Sequence, residues 1–140
     1  MKKFVIDASI LLKLFFAEEH SDAAVQYVKG AQELQAPDLL WVEASYVVWR
    51  RVRRGEITAP DAASLMSEMV RVPIKTWATL DLVPAALALA VDTGRTLYDC
   101  LYLALAVRED VPLLTGDERF VTALGRGQWA KRVCFVGSQG

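Results

Sequence analysis

Short β-favouring segments alternate along this chain with longer segments of helical periodicity, and this alternation limits the possible folds. The sequence predicts strands at about 3–6, 34–36, 74–77, 111–115 and 133–136. It predicts helices at about 9–17, 21–30, 39–54, 59–72, 81–93, 97–109 and 117–124. Strands that alternate with helices form a parallel sheet covered on both faces. We therefore expect an α/β fold, a three-layer α/β/α sandwich with a central parallel sheet, as one domain over residues 1–140.

Composition narrows the possible functions further. Hydrophobic residues make up 54% of the chain and charged residues 24%, which favours a packed core over disorder. The net charge of -1 gives no general attraction for nucleic acid, so RNA binding would need a local basic patch or bound cations. No uncharged apolar stretch approaches the ~20 residues that span a bilayer. We expect a cytoplasmic protein with reduced thiols and no membrane association.

Single acidic residues stand inside otherwise apolar segments. Asp7 is the only charge in 4–12, Glu43 in 39–49 and Asp99 in 97–107. Such segments are buried on most sides, and a buried carboxylate without a partner is energetically costly. The predicted helices place no Lys or Arg one turn from Glu43 or Asp99. The missing partner is a distant basic side chain, a proton or a metal ion.

The positions of the acids along the elements favour a metal. Asp7 follows the first predicted strand, Asp117 follows the strand 111–115, and Asp99 opens a helix. In a parallel sheet these positions converge at the carboxyl edge, where α/β proteins bind ligands. Oxygen ligands without a His or Cys cluster suit Mg²⁺ or Mn²⁺ rather than zinc.

Helix capping is the competing interpretation for the three aspartates. Each is expected to precede a helix, where an Asp N-cap stabilises by about 1 kcal/mol. Capping and metal binding can coexist at one residue. Glu43 lies within the first half of its helix and cannot be a cap, so its apolar surroundings favour a functional role.

The helix that carries Glu43 ends in a cluster of arginines. Arg50, Arg53 and Arg54 share a face by helical spacing. They form either a solvated helix end that favours the dipole or a patch that contacts RNA phosphates, and Lys13 is a lesser candidate of the same kind. Three of the four tryptophans are expected to be core or interface anchors rather than base-stacking platforms: Trp41, Trp49 and Trp77.

Four segments together resemble a known family. They are 5–9 (VIDAS), 37–43 (PDLLWVE), 97–106 (LYDCLYLALA) and 113–120 (LLTGDERF). In this order and spacing the chain resembles the PIN-domain nucleases and, within them, the VapC-like toxins of toxin–antitoxin pairs. The likeness extends over essentially the whole length.

The resemblance implies a parallel sheet between helices and an acidic metal site. It implies that one or two Mg²⁺ or Mn²⁺ ions are held, directly or through water, by Asp7, Glu43, Asp99 and Asp117. Ser9 and Thr115 match polar positions that orient these ligands. The implied activity is metal-dependent endoribonuclease cleavage of RNA, and the implied partners are a cognate antitoxin protein and a second copy in a homodimer.

Other functions remain open at this point. A receiver-type signalling domain needs an acidic pair at the first strand, but Ala8 and Ser9 follow Asp7. A haloacid dehalogenase-type phosphatase needs a second Asp where Ser9 stands. A non-catalytic Mg²⁺-binding interaction module and a PIN-type nuclease acting on DNA are the remaining alternatives. The short chain lacks the helical arches of structure-specific DNA enzymes, which favours RNA.

Overall fold

A parallel sheet organises the fold in the computed structural model, which describes residues 2–138. Within that range the strands are β1 (Lys2–Ile6), β2 (Ala31–Pro37), β3 (Ile74–Trp77), β4 (Leu113–Thr115) and β5 (Val133–Phe135). All neighbouring pairs are parallel, in the order β3-β2-β1-β4-β5. The predicted parallel sheet is confirmed, although β2 begins three residues earlier than expected and β4 two residues later.

Seven α-helices connect and cover these strands in the described part of the chain. They are α1 (Ala8–Lys13), α2 (Ser21–Gly30), α3 (Leu39–Arg53), α4 (Ala59–Met69), α5 (Thr79–Thr93), α6 (Leu97–Glu109) and α7 (Glu118–Leu124), and a 3₁₀ turn spans Ala130–Arg132. None of the helices within 2–138 is both long enough and apolar enough to cross a membrane.

Three helix boundaries differ from the sequence prediction by two or more residues. Helix α4 ends at Met69 rather than near residue 72. Helix α1 ends at Lys13 rather than near residue 17, because the amides of Leu14 and Phe15 bond to carbonyls three residues back. Helix α5 begins at Thr79 rather than 81, where the backbone amide of Thr79 donates to a carboxylate oxygen of Asp38 at 3.0 Å. This cap comes from a residue 41 positions away, so local sequence did not reveal it.

Alternating side chains of β1 fill two separate cores, one on each face of the sheet. Val5 belongs to the larger core, which includes Leu103 and Leu105 of α6. Phe4 and Ile6 belong to the smaller core, because successive strand side chains point to opposite faces. Each face is closed by helices, which confirms the three-layer α/β/α arrangement.

The strand order reverses at the centre of the sheet, and this reversal creates a crevice. From β1 the chain adds β2 and β3 on one side, and later adds β4 and β5 on the other. Ile6 and Leu114 are paired across β1 and β4, so the residues that follow both strands emerge side by side. Such a switch point at the carboxyl edge of a parallel sheet is where open α/β proteins bind ligands.

Candidate active site

Asp7 lies at the end of β1 and caps α1. Its Oδ1 accepts hydrogen bonds from the Ile10 amide at 3.3 Å and from the Ser9 hydroxyl at 2.5 Å. Its Oδ2 accepts from the Thr115 hydroxyl. Burial raises the pKa of Asp7 to about 6, although the bonds from Ser9 and Thr115 oppose the shift. The capping interpretation is therefore correct for Asp7, and it leaves the carboxylate facing the crevice.

The hydroxyls of Ser9 and Thr115 tie the ends of β1 and β4 together. Besides donating to Asp7, Ser9 Oγ accepts from the Gly116 amide at 2.8 Å. Thr115 is fully buried, and its hydroxyl oxygen accepts from the Asp117 amide at 3.1 Å. Both positions hold Asp7 in place from two sides, in keeping with their expected orienting role.

Glu43 projects from the first half of α3 and contacts a tyrosine of α6. The Tyr102 hydroxyl donates to Glu43 Oε1 at 2.5 Å. Burial and the nearby charge of Asp99 raise the pKa of Glu43, whereas the bond from Tyr102 lowers it. Burial and this same bond raise the pKa of Tyr102, which keeps its hydroxyl protonated as a donor.

Asp99 lies in the first turn of α6, and two expectations about it are wrong. The N-cap is Thr96, whose hydroxyl accepts from the Asp99 amide at 3.0 Å, so Asp99 itself is not the cap. A basic partner is also present, because Arg95 Nη2 lies 3.4 Å from Asp99 Oδ2. Arg95 precedes the helix and was therefore not on the predicted helical face. Burial nevertheless raises the pKa of Asp99; Arg95 opposes this shift and Asp117 adds to it.

Asp117 follows β4 and caps α7. Its Oδ1 accepts from the Phe120 amide at 3.2 Å, as the capping interpretation predicted. All four acids then line a single crevice of about 170 Å³, together with Ser9 and three other residues. The full lining is Asp7, Ala8, Ser9, Glu43, Asp99, Tyr102, Asp117 and Phe120.

The donor set of the crevice suits a hard divalent cation, but the carboxylates do not converge on one point. The lining offers carboxylate and hydroxyl oxygens and no His or Cys, which is the chemistry that Mg²⁺ and Mn²⁺ prefer. Mutual repulsion of the acids contributes to the raised pKa of three of them. Within 2–138, no three His, Cys, Asp or Glu side chains are close enough together to hold an ion as they stand. An ion held by three or more of these acids would thus require side-chain movement, whereas one or two carboxylates with water suffice for Mg²⁺.

The predicted RNA-contacting residues lie outside the crevice. Arg50, Arg53 and Arg54 are exposed and form no ion pair within the described residues. Lys13 differs, because its side chain is only 11% exposed and pairs with Glu18 at 3.5 Å. The three arginines are therefore free to meet an anionic partner.

The tryptophans divide between core and surface. Trp41 and Trp77 are half-buried and pack against the larger core, as expected. Trp49 is 53% exposed, so it is not a core residue. The guanidinium of Arg53 lies 5.6 Å from the centre of its ring. Trp49 thus forms part of the outer surface of α3.

Tyr102 and Arg95 are the site residues that sequence reasoning missed. Tyr102 follows Asp99 by three residues and Arg95 precedes it by four, so both spacings bring side chains to the Asp99 face of a helix. Tyr102 was hidden within a segment read only as apolar. Helical spacing measured from Asp99 was the signal that would have identified both.

The fold and the site together define a parallel α/β/α protein with an acidic crevice at the switch point of its sheet. Sequence comparison identifies the family. The PIN domain pattern matches residues 4–123. This chain belongs to the PIN-domain family. It is 34% identical over 119 residues to Ribonuclease VapC3 of Pyrobaculum aerophilum, covering 84% of this chain and 91% of the relative. It is 29% identical over 130 residues to Ribonuclease VapC1 of Mycobacterium tuberculosis, covering 89% and 93%.

Solved structures agree on the fold. A Pyrobaculum aerophilum protein superposes with a TM-score of 0.71 at 23% identity, covering 96% of this chain and 91% of that one. A toxin–antitoxin complex from Klebsiella pneumoniae gives 0.64 at 14% identity, with coverages of 97% and 99%. Mycobacterium tuberculosis VapC20, described as a sarcin–ricin-loop-cleaving toxin, gives 0.65 at 13% identity, with coverages of 86% and 94%. The fold is that of PIN-domain proteins.

Proposed function

We propose that this protein is a metal-dependent endoribonuclease and the toxin of a toxin–antitoxin pair. The observation that carries the proposal is the single crevice lined by Asp7, Glu43, Asp99 and Asp117 at the switch point of the sheet. Four carboxylates confined to about 170 Å³ repel one another, and a bound cation relieves that repulsion. The relatives named as ribonucleases support RNA as the substrate.

In this proposal each crevice residue has a defined task. The four acids hold Mg²⁺ or Mn²⁺ through carboxylate oxygens, directly or through water. Ser9 and Thr115 fix the orientation of Asp7, and Tyr102 fixes that of Glu43. The bound cation supplies charge neutralisation for the phosphodiester and activates water at neutral pH. No histidine is required as a general base.

The proposed partner is a cognate antitoxin that covers the acidic crevice. One solved structure with this fold is a toxin–antitoxin complex, which supports a protein partner of this kind. A cytoplasmic location and a single domain over 1–140 belong to the same proposal. Homodimerisation is also proposed, and the exposed apolar face of α5 is the surface that supports it, with Leu80, Leu87 and Val91 outermost.

The direct test is cleavage of total cellular RNA by the purified protein. We expect cutting with Mg²⁺ or Mn²⁺, none with chelator, and none by the Asp99→Asn variant, which keeps the shape of the side chain but removes its charge. Cutting that survives chelator or Asp99→Asn would contradict the metal mechanism. The same assay with single-stranded and duplex DNA separates the RNA proposal from a PIN-type DNA nuclease.

A non-catalytic Mg²⁺-binding module is the second candidate for this crevice. In this candidate fewer than three acids hold the ion, which is compatible with the absence within 2–138 of any three His, Cys, Asp or Glu side chains near enough to share one. Calorimetric binding of Mn²⁺ without any cleavage of RNA or DNA would support this candidate over the nuclease.

A further inference from the structure

A second, more apolar groove opens directly beside the acidic crevice. It encloses about 540 Å³ and shares Ser9 and Glu43 with the crevice as lining residues. Its outer wall is formed by Val42 and Tyr46 of α3 and by Tyr98 of α6, which are 66%, 57% and 58% exposed. A ligand that reached the crevice along α3 would pass through this groove.

The groove continues along α3 as a stripe of aromatic rings and arginines. The rings of Tyr46 and Trp49 are 5.6 Å apart and tilted by 30°. The Arg50 guanidinium lies 6.0 Å from the centre of the Tyr46 ring, and that of Arg53 lies 5.6 Å from the Trp49 ring. At ~1.5 Å per residue the stripe runs about 15 Å along the helix beyond Glu43. We call these four residues the α3 stripe.

We infer that the groove is a nucleobase subsite, in which Tyr46 and Tyr98 stack an unpaired base next to the cleaved phosphodiester while the α3 stripe guides the single strand. The inference deepens the proposed ribonuclease function and rests on it. Bases splayed from single strands stack on aromatic side chains and guanidinium planes. The groove offers the rings of Tyr46 and Tyr98, and the adjoining α3 stripe offers guanidinium planes.

Charge favours an RNA strand over an apolar peptide as the occupant. The crevice is acidic, and the chain as a whole carries a net charge of -1, so a phosphate backbone gains no attraction from the protein in general. Arg50 and Arg53, which form no ion pair with any residue of 2–138, provide that attraction locally, along α3 beyond the groove. An apolar peptide would fill the groove without using either guanidinium.

Binding to a short labelled single-stranded RNA of mixed sequence tests the inference. All variants carry Asp99→Asn, so that binding is measured without cleavage, and fluorescence anisotropy is read at low ionic strength. Tyr46→Ala and Tyr98→Ala should each weaken binding roughly tenfold, the loss expected for one stacked base. Tyr46→Phe should bind like the parent because it keeps the ring. Val70→Ala, an exposed apolar change that follows α4, is the matched control.

Two further measurements separate the contribution of base stacking to RNA affinity from that of charge. The same RNA annealed to its complement has no free base, so Tyr46→Ala should leave duplex binding unchanged. A scan of single abasic positions should identify one at which the parent loses roughly tenfold in affinity. The Tyr46→Ala variant should bind the RNA with that abasic position as tightly as it binds the intact RNA, because the stacking contact is already absent.

The outcomes separate this inference from the proposed function. Single-strand binding that is unchanged in both alanine variants, equal losses on single strand and duplex, or no RNA binding by the parent would each overturn the inference. If affinity is unchanged by Tyr46→Ala in the Asp99→Asn background, and Tyr46→Ala alone still cleaves RNA, the nuclease proposal stays intact. Conversely, Tyr46-dependent binding by a protein that cuts no RNA with Mg²⁺ or Mn²⁺ would leave the subsite intact and contradict the nuclease.

Discussion

The Tyr102 hydroxyl of α6 donates a 2.5 Å hydrogen bond to Oε1 of Glu43 on α3. This bond joins the two helices that form opposite walls of the acidic crevice. Tyr102 is almost fully buried, and Glu43 is the partner that its hydroxyl contacts. The orientation of Glu43 therefore depends on a residue that carries no charge of its own.

Tyr102→Phe should reduce metal-dependent cleavage about tenfold while preserving the fold. Loss of one hydrogen bond to a charged group costs about 1.5–3 kcal/mol at most, and the ring remains to fill the core. Because the bond from Tyr102 lowers the pKa of Glu43, that pKa should rise in the variant. Cleavage rates and thermal unfolding measure the two effects. Unchanged cleavage at normal stability would mean that Glu43 needs no orienting partner.

Glu43→Gln should stabilise the metal-free protein at neutral pH. The folded pKa of Glu43 lies above its ordinary value of 4.5, so the folded state favours the protonated carboxyl. As the pH rises from about 4.5 through the raised pKa, Glu43 becomes ionised in the folded state, and the free energy of unfolding falls. Glutamine removes this charge and keeps an oxygen that Tyr102 can bond to.

Urea unfolding in chelator measures this gain. The advantage of Glu43→Gln should be present near pH ~7 and should vanish below pH ~4.5, where the parent carboxyl is also neutral. Glu19→Gln, at a highly exposed loop position, is the matched control and should show no such pH dependence. If the variant is instead less stable than the parent at neutral pH, an attractive interaction must stabilise ionised Glu43 by more than its burial destabilises it.

Protons should compete with metal at Asp7. Its pKa is about 6, so the carboxylate is largely ionised at neutral pH and increasingly protonated below that value. Affinity for Mn²⁺ should therefore be nearly constant above pH ~7 and fall roughly tenfold per pH unit well below ~6. Calorimetric titrations across this range, in a buffer of known ionisation enthalpy, would also detect the released proton. Affinity that stays constant down to pH ~5 would exclude Asp7 as a ligand.

Arg95→Gln should make the metal-free protein less stable. It should also increase the rise in melting temperature that Mn²⁺ produces. Arg95 pairs with Asp99 at 3.4 Å, and its Nε is buried without a hydrogen-bond partner. Loss of this half-exposed pair should cost about 1 kcal/mol or less. Mn²⁺ should then raise the melting temperature more in the variant than in the parent, because it meets no competing cation at Asp99. Arg95→Lys keeps the charge and should behave like the parent; an equal response in Arg95→Gln would contradict the competition.

The fold and the acids could be read from sequence because each has a local signal. The alternation of strand and helix segments determined the parallel sheet, and single charges in apolar segments pointed to Asp7, Glu43 and Asp99. Asp117 was marked by its place directly after a strand. These features are local in the chain, and only their convergence needed the sheet order.

Contacts between distant segments could not be read in this way. The cap of α5 comes from Asp38, and the partner of Glu43 comes from Tyr102, 59 residues away. Asp38 has no local pattern that distinguishes it from an ordinary loop residue. The spacing of Tyr102 from Asp99 places it on the Asp99 face of α6 but does not indicate its bond to Glu43. The exposure of Trp49 depended on which face of α3 meets the core, and its large apolar side chain suggested the opposite. Sequence thus identified the acids, whereas the structure identified the residues that hold them.

We expect two copies to associate through the exposed apolar face of α5. Leu80, Leu87 and Val91 are 80%, 57% and 79% exposed, and their spacing of seven and four residues puts them on one side of the helix. Leu87→Glu would place a charge at the centre of this face. If α5 forms the dimer, light scattering should change from twice the chain mass of 15.5 kDa to the mass of one chain. Val70→Glu, at an exposed apolar position that follows α4, is the control and should stay dimeric. A Leu87→Glu variant that remains dimeric would place the interface elsewhere, and a parent of 15.5 kDa at all concentrations would exclude a stable homodimer.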